Sequence, residues 1–282
     1  MSEIEDPMLP LDHLEQETGM EIDEMPFGCR LCAEAEYEGN VIAASENFFA
    51  VPDIRNVVPG TIQVISQEHL NDGDYMFSAG HYPREWFEEY EEFLGLMTQA
   101  MEEEYDRDAI WYEHGEKEAN PRPGSVYHPH IVGVAAGDDI IDTLHDEGTQ
   151  YFTVEPMEKP LTALQDVVQD GPYYFYQGTE DGSGERPRYI MRVKGDSTPS
   201  QLMTKYISDL PEVKRMNRDW IDSNDVDVQD GEEYHYENFR PADRFFSTRE
   251  NLRSTTQEIL ERRDAAYNQR ETGVVDIEVG SL

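Results

Sequence analysis

The chain has 282 residues, of which 22 are basic and 61 acidic, so its formal net charge is −39. Aromatic residues make up 11% of it and are spread along the chain, which argues against an acidic disordered protein, because disordered segments are poor in aromatic residues. No apolar run approaches the ~20 residues that span a membrane, and the start lacks the regions of a signal peptide. We therefore expect a cytoplasmic protein without a membrane anchor.

The acidity has two further explanations. Mimicry of a nucleic acid would concentrate the carboxylates in one stripe, whereas here they occur along the whole chain. Adaptation to concentrated salt, where screening weakens the repulsion between like charges, agrees better with the 5 lysines and 17 arginines. The charge thus indicates a protein from a salt-adapted organism and says little about its function.

Three segments follow one another along the chain. Residues 1–25 are acidic, contain Pro7 and Pro10 and show no sustained period, which predicts a mobile arm. Residues 26–140 contain an apolar pattern at spacings of three and four that predicts a helix over Arg84–Tyr105. In the same segment, two short strands are predicted within 41–44 and 48–54 around a turn, an alternating strand at 61–66, and further strands within 109–115 and 125–135.

Residues 141–282 are predicted to form a C-terminal α+β unit with a helical tail. The pattern there predicts strands at 171–177 and 187–193 and helices at 199–208 and 247–268. Residues 186–218 hold eight of the 22 basic residues. This basic segment either binds a phosphate backbone, which would make RNA a partner, or forms ion pairs with neighbouring carboxylates. The sequence shows no internal repeat.

The tripeptide His128-Pro129-His130 is the sharpest chemical feature of the sequence. Alternate residues of a strand face the same side, so the two imidazoles project together and can bind a metal, share a proton or act as a nucleophile. The only cysteines, Cys29 and Cys32, have C-x-x-C spacing. Two cysteines and two histidines, His69 among them, form a tetrahedral zinc set. The alternatives for the cysteines are buried apolar packing and a redox dithiol.

Four segments, in this order, resemble the histidine-triad (HIT) superfamily: C-R-L-C, F-F-A-V-P-D-I-R-N-V-V-P-G-T-I-Q-V-I-S-Q-E-H, W-Y-E-H-G and G-S-V-Y-H-P-H-I-V. The C-x-x-C and H-P-H motifs are similar to the zinc-bearing branch of galactose-1-phosphate uridylyltransferase and dinucleoside-polyphosphate phosphorylase. The C-terminal segment G-P-Y-Y-F-Y…R-Y-I-M-R-V more loosely resembles CwfJ-type proteins, which carry a HIT-like domain beside RNA-processing machinery.

This resemblance implies a nucleotidyl hydrolase or transferase that acts on a nucleotide or a nucleotidylated small molecule. His130 occupies the position that attacks the α-phosphate and forms a covalent nucleotidyl-imidazole. Asp53 matches the residue that accepts ribose hydroxyls, and Gly124 and Ser125 match the loop that donates to the phosphates. His114 occupies the position of a polar neighbour of the phosphate or nucleophile, so His130, His114 and Ser125 are the candidate catalytic residues.

The resemblance also implies the architecture around this site. It predicts an α+β fold in which helices flank a HIT-like antiparallel sheet, so that 26–140 is a nucleotide-binding domain. The zinc ligands would be Cys29, Cys32, His69 and His128, and the Zn²⁺ would be structural. A homodimer is expected by analogy with the same family.

The chain departs from the family pattern at the third triad position, which is Val132 rather than His or Gln. An isopropyl group cannot donate to a phosphate oxygen, and the loss of one such donor costs about 10²–10³ in rate. Either another residue compensates, with His114 and Ser125 as candidates, or this is a slow or retired enzyme that keeps the pocket. In its retired form the protein would be a zinc-stabilised module that binds nucleotide or RNA without turnover. Both hypotheses remain open from the sequence.

Overall fold

The structure is a computed structural model. It describes residues 40–53, 58–67, 70–71, 74–76, 78–115, 129–146, 148–157, 160–194, 202–223, 242–267 and 278–279. These residues form an α+β fold, which confirms the fold class expected from the sequence. The predicted arm, 1–25, lies outside the described residues.

The described elements alternate between short strands and helices of very different length. The strands are β1 (Ala43–Ala44), β2 (Phe48–Pro52), β3 (Ile62–Ser66), β4 (Leu70–Asn71), β5 (Asp74–Tyr75), β6 (Ile110–Gly115), β7 (His130–Val134), β8 (Phe152–Pro156), β9 (Tyr173–Gln177), β10 (Arg188–Val193) and β11 (Glu278–Val279). The helices are α1 (Phe87–Tyr105), α2 (Ile141–Asp146), α3 (Leu164–Asp170), α4 (Leu202–Asp209), α5 (Pro211–Ser223) and α6 (Ala242–Tyr267). None of the described helices is long and apolar enough to cross a membrane.

Nine of these strands form one antiparallel sheet in the order β11-β1-β2-β3-β7-β6-β9-β10-β8, and β4 and β5 pair separately. Within this sheet β6 pairs with β9, with Trp111 opposite Gln177 and His114 opposite Tyr174. The predicted segments 26–140 and 141–282 therefore contribute strands to the same sheet, and main-chain hydrogen bonds join them directly.

The six strands β3-β7-β6-β9-β10-β8 of the sheet form two halves that repeat one arrangement, which the sequence pattern did not reveal. Apart from the separate β4–β5 pair, β3, α1, β6 and β7 form a strand–helix–strand–strand unit in chain order, and β8, α3, β9 and β10 form a second one. Outward from the β6–β9 pair, the strand order is β6-β7-β3 on one side and β9-β10-β8 on the other. The antiparallel pairing of two equivalent strands makes the units approximately two-fold related.

Each face of the sheet buries its own apolar core, because residues along a strand alternate between the faces. On one face, Trp111 and Ile131 pack in a core that includes Phe93 of α1 and Leu252 of α6. On the other face, residues of β6, β7 and β9 pack in a second core against α4 and α5, as shown by Tyr112, Val132, Tyr174, Met203, Ile207 and Val213.

Helix α1 confirms the helix predicted from the apolar spacing. Its first predicted turn, Arg84–Trp86, is a 3₁₀ turn. The helix ends at Tyr105, and the next residue, Asp106, caps it with a left-handed φ of 51°. On the outer face of α1, the Glu89 carboxylate accepts hydrogen bonds from the Ser45 hydroxyl (2.6 Å) and the Asn47 main-chain N–H (2.8 Å). The turn between β1 and β2 is thereby held on the helix.

Candidate functional site

His130 is the first residue of β7, and the register of the sheet brings it beside His114. The register pairs Ile65 of β3 with His130, and Tyr112 of β6 with Val132. Continued by two residues, the β6–β7 register sets His114 opposite His130, and His114 itself pairs with Tyr174 of β9. Opposite residues of antiparallel strands have Cβ atoms about 5 Å apart. Two imidazoles from distant parts of the sequence are therefore neighbours on one face.

His114 is held neutral by its surroundings. Its ring stacks on the Tyr174 ring, with centroids 4.6 Å apart and planes 18° apart. Burial lowers the pKa of His114 to about 4, and the nearby His130 contributes to the lowering. At neutral pH the His114 imidazole is thus uncharged, and it offers one hydrogen-bond donor and one acceptor without adding a positive charge beside His130.

The main chain immediately before His130 is fixed from two directions. The Pro129 carbonyl oxygen accepts hydrogen bonds from the Ser66 main-chain N–H and from the Tyr82 hydroxyl, both at 3.3 Å. Tyr82 is 1% exposed, and its ring lies edge-on to Phe48 with centroids 5.2 Å apart. A rigid aromatic cluster therefore sets the position at which the His130 side chain leaves the strand.

A buried carboxyl group lies on β6, on the sheet face opposite to that of His114. Glu113 is 2% exposed and accepts hydrogen bonds from the Ala79 main-chain N–H (2.6 Å) and the Tyr173 hydroxyl (3.0 Å). The Tyr173 oxygen in turn accepts a hydrogen bond from the Gly80 N–H (3.2 Å). Burial raises the pKa of Glu113 to about 7, so this group titrates near neutrality directly behind His114.

Asp53 and Gln63 extend the His130 face toward β2. Asp53 follows β2, is 2% exposed, and its N–H donates to the Thr61 carbonyl (3.0 Å). Gln63 lies directly opposite Val132 in the β3–β7 register. Because side chains alternate along strands, Asp53, Gln63 and His130 project from the same face.

The second half of the sheet does not repeat the histidine pair. When the two units are matched by register, Tyr176 and Tyr189 take the places of His114 and His130, and their ring centroids are 6.4 Å apart. The Tyr176 hydroxyl donates to Asp139 (2.9 Å) and accepts from the Ile140 N–H (3.2 Å). This half of the sheet carries a structural hydrogen-bond network where the first half carries imidazoles.

The structure places His130 and His114 side by side, and it places Asp53 on the same sheet face two strands away from His130. The remaining candidates, Cys29, Cys32, His69, Gly124, Ser125 and His128, lie outside the described residues. Within the described residues, no group of three or more His, Cys, Asp or Glu side chains is arranged to hold a metal ion.

Sequence reasoning missed three residues of this region: Tyr174, Glu113 and Gln63. Strand alternation alone places Gln63 on one face of β3 and Glu113 on the face of β6 opposite His114. It does not say which strands are neighbours, and the contacts of these residues depend on that pairing.

Comparison with known proteins adds no family assignment, since no protein-family model matches the chain and no curated protein matches it significantly.

Proposed function

We propose that the protein is a nucleotidyl hydrolase or transferase that acts on a nucleotide phosphoanhydride through a covalent nucleotidyl-histidine at His130. The observation that carries the proposal is the pairing of a half-buried His130, at the start of β7, with a neutral His114 on the same sheet face. A neutral imidazole is nucleophilic near pH 7, and its phosphoramidate is readily broken by water or phosphate.

The proposed reaction has two displacement steps. In the first, the lone pair of an unprotonated His130 ring nitrogen forms a bond to the α-phosphorus, and the bond from phosphorus to the leaving oxygen breaks with its electron pair. In the second, the oxygen of water or of an acceptor hydroxyl attacks the same phosphorus and loses its proton to solvent, the P–N bond breaks, and His130 recovers its lone pair. Neutral His114 would donate its N–H to a phosphoryl oxygen as charge develops there.

Asp53 and the zinc set complete the proposal. Asp53 would accept ribose hydroxyl groups, which agrees with its position on the His130 face. Gly124 and Ser125 would donate to the phosphates. Two thiolates and two imidazoles form a donor set suited to tetrahedral Zn²⁺, which would fix the fold near the site.

The decisive experiment is covalent labelling in molar KCl. The protein is incubated with nucleotides and dinucleoside polyphosphates labelled at the α-phosphate, then quenched in base because phosphoramidates are acid-labile. We expect acid-labile label on the wild type and none on His130→Ala. His145→Ala is the matched control, because His145 is an exposed histidine on α2, and it should label normally. Absence of label on the wild type across the panel would refute the enzyme.

The zinc site has its own test. Metal analysis of the purified protein should give about one zinc per chain, and Cys29→Ser should lower it. A metal content well below one zinc per chain that Cys29→Ser does not change would contradict the site.

Val132 favours a second candidate function, a zinc-stabilised protein that binds nucleotide or RNA without turnover. In the described part of residues 186–218, ion pairs with carboxylates hold most of the basic side chains, among them Arg186, Arg188, Arg192, Lys214 and Arg215. RNA binding by this segment would therefore compete with these pairs. Charge reversal at Arg188 and Arg192 should weaken RNA binding under this hypothesis, whereas His130→Ala should leave it unchanged.

A further inference from the structure

Gln63 combines a position on the His130 face, burial and an unpaired amide oxygen, and the proposed reaction uses none of these. It lies on the central part of the sheet, on the face that carries His130, and directly opposite Val132. It is 8% exposed, and its side-chain amide oxygen is buried without a hydrogen-bond partner among the described residues. Buried polar groups in folded proteins are nearly always hydrogen-bonded, so an unpaired amide oxygen here calls for a reason.

Another buried glutamine shows what a structural amide does in this protein. Gln177 of β9 is 5% exposed, and its amide oxygen accepts a hydrogen bond from the Arg188 guanidinium Nε at 2.9 Å. It lies on the opposite face of the sheet, where its partner satisfies it. The Gln63 side chain is nearly as buried as that of Gln177, yet its oxygen lacks such a partner within the described residues. Burial of this amide oxygen therefore costs free energy of folding that no hydrogen bond among these residues offsets.

The location of Gln63 indicates which ligand would satisfy it. On the neighbouring strand β7, His130 lies two residues along from the residue opposite Gln63. On the other neighbouring strand, β2, Asp53 likewise lies two residues along from the residue opposite Gln63, and it lies in the opposite direction. Each such diagonal step covers about 8 Å between Cα atoms. Gln63 therefore lies midway between the residue proposed to attack the α-phosphate and the residue proposed to hold the ribose.

We infer that the Gln63 side-chain amide binds the nucleoside part of the ligand by a direct hydrogen bond, an inference that rests on the proposed function of the His130 face. A ligand whose phosphate is at His130 and whose ribose is at Asp53 passes over Gln63. An amide carries both donors and an acceptor, so it matches a sugar hydroxyl or the edge of a base. Gln63 is then a specificity residue, kept because it binds ligand although it weakens the free protein.

The test measures affinity and stability together in Gln63→Met and Gln63→Leu, two apolar replacements of similar volume. Calorimetric titration in molar KCl uses AMP, GMP, CMP and UMP, with pyrophosphate as the probe that lacks a nucleoside. We expect affinity for the best-bound nucleotide to fall about tenfold, since its polar group would face an apolar side chain. Affinity for pyrophosphate should not change, and the melting temperature should stay the same or rise.

Gln177→Leu is the matched control, because it removes a buried glutamine amide that already has a partner. It should lower the melting temperature and leave nucleotide affinity unchanged. Ribose 5-phosphate then separates the two kinds of contact: if Gln63→Met weakens its binding, the amide contacts the sugar, and if it does not, the amide contacts the base.

Failure of the inference and failure of the proposed function give different results. Wild-type nucleotide affinity in Gln63→Met and Gln63→Leu, with normal labelling at His130, overturns the inference alone. Weaker nucleotide binding in these variants without any covalent label on the wild type supports the inference and overturns the enzyme. A wild-type protein that binds none of the four nucleotides overturns both.

Discussion

The replacement of Glu113 by Gln tests how the buried carboxyl behind the site contributes to stability. The glutamine oxygen can still accept the Ala79 N–H that now donates to the carboxylate at 2.6 Å. The glutamine NH₂ group replaces the acceptor that Tyr173 uses, so the Tyr173 oxygen must accept that hydrogen bond instead. The variant keeps the shape of the side chain and removes its titration.

The size of the effect follows from the change in pKa on folding. Burial raises the pKa of Glu113 from 4.5 to about 7, so the folded protein binds this proton more tightly than the unfolded chain. Between pH 4.5 and 7 the folded state therefore binds more protons, and its stability falls as the pH rises. Full ionisation of a carboxyl shifted this far costs about 3 kcal/mol of unfolding free energy at pH values above 7.

In the wild type, the titration of His114 partly cancels the pH dependence of stability that Glu113 contributes, because it changes stability in the opposite direction. Burial lowers the pKa of His114 from 6.5 to about 4, so the unfolded chain binds the extra proton and stability rises with pH between 4 and 6.5. The two contributions oppose each other over most of the same range. The informative quantity is therefore the difference in unfolding free energy between Glu113→Gln and wild type at each pH.

Urea denaturation at constant molar KCl, at pH 4.5, 5.5, 6.5 and 7.5, measures that difference. We expect the unfolding free energy of Glu113→Gln minus that of wild type to increase by about 3 kcal/mol between pH 4.5 and pH 7.5. Glu258→Gln, which removes an exposed carboxyl on α6, is the matched control for the loss of one negative charge. A difference for Glu113→Gln that does not vary with pH would refute the reasoning, because the Glu113 carboxyl would then titrate alike in folded and unfolded protein.

Three further outcomes are expected. His114→Phe keeps an aromatic ring on Tyr174 but removes the titration. In the same urea series, the stability of wild type relative to this variant should therefore increase between pH 4 and 6.5. The same dependence of stability on pH in both proteins would contradict this. Tyr82→Phe removes the hydroxyl that donates to the Pro129 carbonyl. This change should lower the free energy of unfolding by about 1 kcal/mol and slow the labelling of His130, while nucleotide affinity stays unchanged. An unchanged labelling rate would show that the hydroxyl does not position the site. Because the net charge is −39, the melting temperature should rise steeply from 0.1 to 2 M KCl in calorimetry, and a salt-independent value would contradict salt adaptation.

The local elements of the fold were largely predictable from the sequence. The apolar spacing predicted α1 to within its first turn, alternation predicted β3, and the Gly/Asp/Ser turn between two apolar segments predicted β9 and β10, because each of these patterns depends on residues close together in the chain. The shorter α3 and β8 were missed, since seven or fewer residues with polar interruptions give little periodicity. Helix α5 was also missed, although it begins at Pro211, a common first helical residue, and its apolar residues Val213, Met216 and Trp220 recur at spacings of three and four.

By itself, the sequence determined the α+β class, the chemistry offered by His130 and the excess of negative charge. Only the tertiary structure decided which strands are neighbours: β6 against β9, which puts Tyr174 on His114, and β3 against β7, which sets Gln63 opposite Val132. It also decided that Glu113 is buried and that the two halves of the sheet are related by a two-fold arrangement. Alternation specifies the face of every side chain, whereas pairing between strands distant in sequence depends on the packing of the whole sheet against its helices.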